Sequence, residues 1–124
     1  MAIWIDGGPG YSSLVSVGSE NGPCNINPDS NSTTLNPWSW NNEVNILYID
    51  QPVQVGFSYD VLTNGTLDQV SSIVTPTDFL SGIPESNNTF VVGTFSSQNP
   101  NSTANTTTNG AHALWHFVQA WLEE

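Results

Sequence analysis

A glycine-rich loop constrains the fold of this chain more than any other stretch. It follows the apolar run at residues 2–5 and reads Asp-Gly-Gly-Pro-Gly at positions 6–10. Glycine adopts backbone conformations that other residues avoid, and it lets a ligand approach the main chain closely. The pattern predicts a sharp turn whose N–H groups can bind a phosphate, a carboxylate or a transient oxyanion. An ordinary tight turn is the alternative that the loop alone leaves open.

The charge composition excludes several classes of partner. The 124 residues contain no lysine or arginine and 11 acidic residues, which gives a formal net charge of −11. A chain without cationic side chains cannot neutralise phosphate groups, so neither nucleic acids nor anionic membrane surfaces are expected as partners. No apolar run approaches the roughly 18 residues that span a bilayer. The length fits one domain at most.

The sequence has five Asn-x-Ser/Thr acceptor patterns for N-glycosylation, at Asn31, Asn64, Asn87, Asn101 and Asn105. Their density predicts a secreted or vacuolar glycoprotein. The chain starts at Met1 without the basic segment of a signal peptide, so we expect a fragment of a secretory protein. Its one cysteine, Cys24, implies either a disulfide partner outside the chain or a free thiol.

Two apolar segments predict strands. They lie at residues 2–5 and 44–50, and the near-continuous apolar pattern of the second predicts a parallel strand buried on both faces. Residues 111–122 repeat apolar side chains at helical spacing, which predicts an amphipathic helix with Asn109 as its N-cap. Residues 62–109 are rich in Ser, Thr, Asn and Gly, and they predict an irregular excursion with one short helix and one short strand.

Two candidate chemistries can be weighed on spacing alone. His112 and His116 are four residues apart, as in zinc-binding helices, but Ala113 stands where the zinc protease motif requires glutamate, so no metal is predicted. Ser12 and Ser58 lie in near-matches to the Gly-x-Ser-x-Gly nucleophile turn, and both matches lack the closing glycine. Both serines are therefore expected to be turn hydroxyls.

Trp38 and Trp40 lie close together in a short polar segment. If exposed, they would offer a surface on which a sugar ring can stack; if buried, they would belong to the core. A non-catalytic secreted glycoprotein module that binds carbohydrate through these two residues is therefore the alternative to an enzyme.

Five blocks of sequence, in order, resemble the N-terminal portion of the serine carboxypeptidases. The blocks are Trp4-x-Asp6-Gly7-Gly8-Pro9-Gly10-x-Ser12-Ser13, Glu20-x-Gly22-Pro23, Asn36-Pro37-x-Ser39-Trp40-Asn41, Asn45-Ile46-Leu47-Tyr48-Ile49-Asp50-Gln51-Pro52-Val53-x-Val55-Gly56-Phe57-Ser58-Tyr59 and Ala113-Leu114-Trp115-His116-Phe117. They cover the first half of the chain and its end, whereas residues 62–109 match little.

The resemblance implies a partial α/β-hydrolase fold, in which residues 1–124 are the incomplete N-terminal part of one catalytic domain. This part would contain a few strands of the central sheet, one C-terminal helix and the excursion at residues 62–109, which is of low complexity and open to glycosylation. The implied activity is proteolysis: hydrolysis of C-terminal peptide bonds of peptides and proteins through an acyl-enzyme on serine, without a cofactor. The family's nucleophile turn and the aspartate and histidine of its triad have no counterpart here, so the chain alone is expected to be inactive.

The resemblance also assigns roles within the glycine loop. Gly8 would donate a backbone N–H to the oxyanion hole. A second set of residues would bind the terminal carboxylate of the substrate: Trp4, Asp6, Gly7 and Glu20. A loop dense in N–H donors suits both anions.

Three positions depart from the family pattern. Asp6 replaces the usual asparagine, Tyr11 replaces a cysteine that is common after the last loop glycine, and Gln54 replaces a glycine in the block at residues 45–59. Cys24 takes the place of a cysteine that forms a disulfide in fungal relatives, so the resemblance implies a partner beyond this chain.

Overall fold

The computed structural model describes residues 1–123, which form seven short strands and two α-helices. The strands are β1 (Ala2–Trp4), β2 (Cys24–Ile26), β3 (Thr33–Leu35), β4 (Ile46–Tyr48), β5 (Leu62–Asp68), β6 (Val74–Pro76) and β7 (Phe90–Ser96). The helices are α1 (Leu14–Val17) and α2 (Thr107–Glu123), and a single 3-10 turn occupies Trp40–Asn42. This mixture of strands with a C-terminal helix is compatible with a partial α/β fold.

Strands β1 and β4 pair in parallel, with Ala2 opposite Ile46 and Trp4 opposite Tyr48. The prediction of a parallel strand within residues 44–50 is thus confirmed. The prediction that it is buried on both faces is wrong, because all three residues of β4 are only half-buried. The sheet has two strands within residues 1–123, so no further strand encloses them there.

Residues 62–96 form an antiparallel sheet with the strand order β6-β5-β7, which corrects the prediction of one short helix and one short strand in this excursion. Strand β5 pairs with β7 from Leu62 opposite Ser96 to Asp68 opposite Phe90. The sequence of β5, Leu-Thr-Asn-Gly-Thr-Leu-Asp, lacks the apolar alternation by which a strand is recognised. Main-chain hydrogen bonds therefore define this sheet. Its side chains do not alternate between apolar and polar in the way that identifies a strand from sequence.

A second short hairpin joins β2 to β3, with Cys24 opposite Leu35 and Ile26 opposite Thr33. Each of its strands has only three residues, and sequence patterning did not predict it. Cys24 is half-buried in this hairpin and is a free thiol within the chain.

Helix α2 confirms the predicted C-terminal helix but begins four residues earlier, at Thr107. The hydroxyl of Thr106 accepts a hydrogen bond from the N–H of Asn109 at 3.1 Å, which is the contact of an N-cap residue. Asn109 lies inside the helix, so the prediction that it is the N-cap is wrong. No residue of α2 within the described part of the chain is buried. None of the described helices is long and apolar enough to cross a bilayer.

The most enclosed part of the structure is polar. Ile49 is the one buried apolar side chain in residues 1–123, at 9% exposure. The buried polar residues are Ser13, Ser16, Asn21, Asn36, Ser39 and Asp50. Since buried polar groups are costly unless they are hydrogen-bonded, these side chains should carry a network. Ser13, Ser16 and Asp50 form hydrogen bonds at the glycine loop and α1, whereas Asn36 and Ser39 bond to the turn after α1.

Candidate active site

The glycine loop runs from the end of β1 to the start of α1. Gly8 and Gly10 have positive φ angles of 67° and 113°, a region that favours glycine, and both residues are exposed. The N–H of Gly10 donates to the carbonyl of Gln51 at 3.2 Å, which ties the loop to the segment after β4. The N–H of Gly8 has no acceptor within residues 1–123. Gly8 therefore presents an unused donor on an exposed and anchored loop.

Asp50 holds the end of this loop in place. The residue is only 5% exposed, and one oxygen of its carboxylate accepts from the Ser12 hydroxyl at 2.8 Å and from the Ser13 N–H at 2.6 Å. The other oxygen accepts from the Phe57 N–H at 2.8 Å. The Asp50 carbonyl accepts from the Ser58 hydroxyl at 2.7 Å. One buried side chain thus joins the glycine loop to the segment that follows β4.

The contacts of Asp50 also show which hydrogen bonds the hydroxyls of Ser12 and Ser58, the two candidate nucleophiles, form. Ser12 donates its hydroxyl hydrogen to the Asp50 carboxylate and Ser58 to the Asp50 carbonyl, and within residues 1–123 neither bonds to a histidine. This matches the expectation that both are turn hydroxyls. His112 and His116 are exposed on α2, where His116 packs edge-on against Trp115 at 4.9 Å. Residues 1–123 contain no group of three or more side chains that could hold a metal ion.

The two acidic residues assigned to substrate binding meet at one side of the loop. The hydroxyl of Ser16 lies 2.8 Å from Oδ2 of Asp6 and 3.1 Å from Oε2 of Glu20. The other oxygen of Asp6, Oδ1, accepts from the Gly7 N–H at 2.9 Å. The structure therefore brings Asp6, Gly7 and Glu20 together, and it does so through a serine that sequence patterning did not single out.

Two tryptophan rings pack together next to β1. The rings of Trp4 and Trp40 meet edge to face with centroids 5.2 Å apart. The Tyr48 hydroxyl donates to Oδ1 of Asn21 at 3.0 Å, and burial raises the pKa of Tyr48 above its usual value. Within the described residues, the buried Nε1 of Trp4 and Nδ2 of Asn21 have no hydrogen-bond partner. Trp4 thus packs against Trp40, while Trp38 is 85% exposed.

Comparison with known proteins identifies the family. The Peptidase S10 family, the serine carboxypeptidases, matches residues 1–124. The chain belongs to the serine carboxypeptidase family.

Curated relatives of this serine carboxypeptidase chain come from fungi and animals. A carboxypeptidase S1 homolog A from Arthroderma otae is 60% identical over 124 residues, covering 100% of this chain and 19% of the relative. A carboxypeptidase Y homolog from Arthroderma benhamiae is 51% identical over the same 124 residues, which make up 20% of that protein. Carboxypeptidase S1 from Penicillium janthinellum is 46% identical over 80 residues, covering 64% of this chain and 18% of the relative. The chain thus spans about a fifth of the length of the curated relatives it matches.

Gln54, which stands where the serine carboxypeptidase pattern suggested a glycine, adopts a backbone conformation that favours glycine. Its φ is +82°, a conformation that costs a residue with a side chain on the order of 1–2 kcal/mol. Its side-chain amide donates to Oδ2 of Asp60 at 3.1 Å and to the carbonyl of Asn99 at 2.8 Å. Two such bonds contribute about 1 kcal/mol each, which offsets the backbone cost. Gln54 thereby attaches the excursion to the segment after β4.

Asp60 forms the other half of this attachment. The hydroxyl and the N–H of Ser97 both donate to its carboxylate, the N–H at 3.0 Å, and these bonds hold the pKa of Asp60 well below its usual range. Thr103 adds a hydrogen bond from its hydroxyl to the carbonyl of Val53 at 2.6 Å. The return of the excursion to the segment after β4 therefore depends on an ionised carboxylate.

The attachment is expected to weaken in acid. An unfolded aspartate has a pKa of about 3.9 and the folded Asp60 has a lower one, so the stabilisation is fully present above about pH 4 and is lost progressively as the pH falls toward the folded value. Hydrogen–deuterium exchange at residues 96–99, corrected for intrinsic rates, should therefore be faster at pH 3 than at pH 6. In Asp60→Asn it should be fast at both pH values.

The matched control is Asp29→Asn, because Asp29 also has a lowered pKa, caused first by the Ser32 hydroxyl, but lies in the β2–β3 turn. That variant should leave the pH dependence at residues 96–99 unchanged. Equal exchange at both pH values in the unmodified protein would contradict the role given to Asp60.

Sequence reasoning missed three residues of this site: Ser13, Ser16 and Asp50. Ser13 is fully buried, accepts from the Asp6 N–H at 3.0 Å and donates to the Ile49 carbonyl at 2.6 Å. The one available signal was the position of Asp50 at the carboxyl end of the best predicted strand, where polar residues of α/β proteins gather.

Proposed function

We propose that this chain is the N-terminal part of the catalytic domain of a serine carboxypeptidase with an α/β-hydrolase fold. The observation that carries the proposal is the meeting of Asp6 and Glu20 at Ser16, beside a loop whose Gly8 N–H is unused. The family assigns these residues to the terminal carboxylate and the oxyanion, and they lie on one anchored loop.

In this mechanism the loop performs two tasks. Gly8 donates its N–H to the oxygen that becomes negative when serine attacks the scissile carbonyl. The free carboxylate of the last residue accepts from the Gly7 N–H and lies beside Asp6 and Glu20, whose carboxyl groups can donate to it only when protonated. Trp4, which ends β1 shortly before the loop, completes the proposed set. Because this part of the enzyme has no lysine or arginine, recognition here depends on hydrogens donated by N–H and O–H groups, not on a cation. A bound carboxylate would share the Gly7 N–H with Asp6.

The catalytic serine, aspartate and histidine lie in the remainder of the enzyme. The described residues also leave an open cleft of about 460 Å³ between α2 and the segment after β4, with apolar walls that include Ile49, Phe57 and Leu114. This cleft suits further packing by the rest of the catalytic domain. We therefore propose that the 124-residue chain alone is inert, and that an active-site serine label such as a fluorophosphonate leaves it unmodified.

The experiment that tests the proposed function compares two substrates of the full-length enzyme. One is a blocked peptide with a free C-terminal carboxylate, and the other is the same peptide with a C-terminal amide. We expect release of the last residue from the free acid, with kcat/KM at least tenfold above that for the amide. Absence of C-terminal hydrolysis, or equal rates on both substrates, would refute the proposal.

We also propose that the protein is secreted or vacuolar and N-glycosylated. The acceptor asparagines are all exposed, and they are Asn31, Asn64, Asn87, Asn101 and Asn105. Protein from a secretory host should lose mass on treatment with peptide N-glycosidase, and converting each asparagine to glutamine in turn should remove one glycan. An unchanged mass after enzyme treatment would count against it. Mass spectrometry of the same sample tests whether Cys24 forms a disulfide with a cysteine beyond this chain.

A carbohydrate-binding module remains the second candidate, and the exposure of Trp38 favours it. Trp40, at 54% exposure, packs its ring against Trp4, so the two indoles do not both form a free platform. Quenching of tryptophan fluorescence by oligosaccharides, abolished in Trp38→Ala, would support this function. An unresponsive spectrum would exclude it.

A further inference from the structure

Ser16 is the point at which the two acids of the proposed carboxylate site are joined. It lies in α1 and is 1% exposed, which makes it one of the two most buried side chains described. Its Oγ contacts Oδ2 of Asp6 at 2.8 Å and Oε2 of Glu20 at 3.1 Å. An alanine would fill most of the same space, so packing alone does not require a hydroxyl at this position. What the hydroxyl adds is its hydrogen bonding to the two carboxyl groups.

The backbone of Ser16 reinforces what its side chain does. Its carbonyl accepts from the Glu20 N–H at 3.1 Å and from the Gly22 N–H at 3.2 Å, which closes the turn after α1. Main chain and side chain therefore both fix where the carboxyl group of Glu20 lies. Asp6, ten residues earlier, is held through its N–H by the Ser13 hydroxyl, and the Ser16 hydroxyl is what joins its carboxyl group to that of Glu20.

We propose that Ser16 is a positioning residue for recognition of the substrate's terminal carboxylate. It acts through Asp6 and Glu20, orienting the two carboxyl groups as one unit, and does not itself touch the substrate. This inference rests on the proposed function, since it concerns the same site. A hydroxyl carries a single hydrogen, so it donates to only one of the two carboxyl groups at a time, and a change at one acid is felt at the other.

The test uses the full-length enzyme with Ser16→Ala. For the free-acid peptide we expect kcat/KM to fall by about tenfold or more, the effect of removing a hydrogen bond to a charged group, with most of the change in KM. The C-terminal amide peptide, which has no carboxylate to recognise, should show little change. Ser19→Ala is the matched control, because the Ser19 hydroxyl donates to the Val15 carbonyl beside the same helix and contacts neither acid.

A double-mutant cycle separates positioning from general damage. In an Asp6→Asn background, Ser16→Ala should lower kcat/KM for the free-acid peptide by a smaller factor than it does alone. The reason is that the carboxyl group through which Ser16 acts is already altered. Ser16→Cys, which retains the volume but donates weakly, should raise KM as alanine does. Thermal unfolding of each variant shows whether the fold is kept.

The outcomes are distinguishable. If the unmodified enzyme does not prefer the free acid over the amide, the proposed function fails. If it does, but Ser16→Ala and Ser16→Cys leave KM unchanged, the positioning role is overturned. An equal loss of kcat on both substrates, or full additivity with Asp6→Asn, would also overturn it, since Ser16 would then be only structural.

Discussion

Gly56→Ala is expected to destabilise the protein by about 4 kcal/mol, enough to prevent accumulation of the folded enzyme. Gly56 has a φ of +53°, and a Cβ placed there would lie 2.0 Å from Oδ2 and 2.6 Å from Cγ of Asp50, and 2.9 Å from Oγ of Ser12. The backbone strain alone is worth on the order of 1–2 kcal/mol. The collision adds more, because the Asp50 carboxylate must move and leave buried donors unpaired at about 1–3 kcal/mol each.

The measurement is the urea or thermal unfolding midpoint of the full-length protein. Gly8→Ala is the matched control, because its φ of +67° is similar and nothing lies within 4 Å of the added Cβ. Gly8→Ala should lower the free energy of unfolding only by the backbone strain, on the order of 1–2 kcal/mol. If both variants lose the same stability, the packing of Gly56 against Asp50 does not matter and the central place given to Asp50 is wrong.

Gly8→Ala itself is expected to lower kcat by between tenfold and a hundredfold while leaving the protein folded. Alanine at +67° is strained, so the loop relaxes toward negative φ and the peptide plane that carries the Gly8 N–H rotates away from its direction. Complete removal of one oxyanion donor typically costs about 10²–10³ in kcat, and a misdirected donor should cost part of that.

The kinetic signature separates this effect from a loss of substrate binding. The oxyanion exists only as the reaction proceeds, so kcat should fall while KM changes little. Gly82→Ala is the control: its φ is +105° and its surroundings are also open, but it lies in the excursion outside the proposed site. A variant Gly8→Ala with normal kcat, or with its whole defect in KM, would remove Gly8 from the oxyanion hole.

Part of this structure could be predicted from sequence alone. The apolar runs at residues 2–5 and 44–50 identified β1 and β4, because a local run of apolar and β-branched residues favours a strand even where the strand is only half-buried. Helical spacing of apolar residues identified α2, and its start was misplaced because the Thr106 hydroxyl caps it from outside the apolar pattern. The glycine-rich composition of residues 7–10 predicted a backbone conformation that other residues avoid, and Gly8 and Gly10 have positive φ angles.

The excursion could not be predicted, because its strands are held by main-chain hydrogen bonds that polar residues form as well as apolar ones. Its attachment depends on contacts between residues far apart in sequence, such as Gln54 and Asn99. No local pattern contains that information.

The sequence by itself therefore determined the family, the glycine loop, the parallel pair β1 and β4 and the helix α2. The tertiary structure alone decided that Asp50 holds the loop, that Gly56 must lack a side chain, and that Ser16 joins Asp6 to Glu20. Propensity and periodicity act over a few neighbouring residues. A hydrogen bond between Ser13 and Asp50 spans 37 positions, and it exists only when the folded chain brings donor and acceptor within 3 Å.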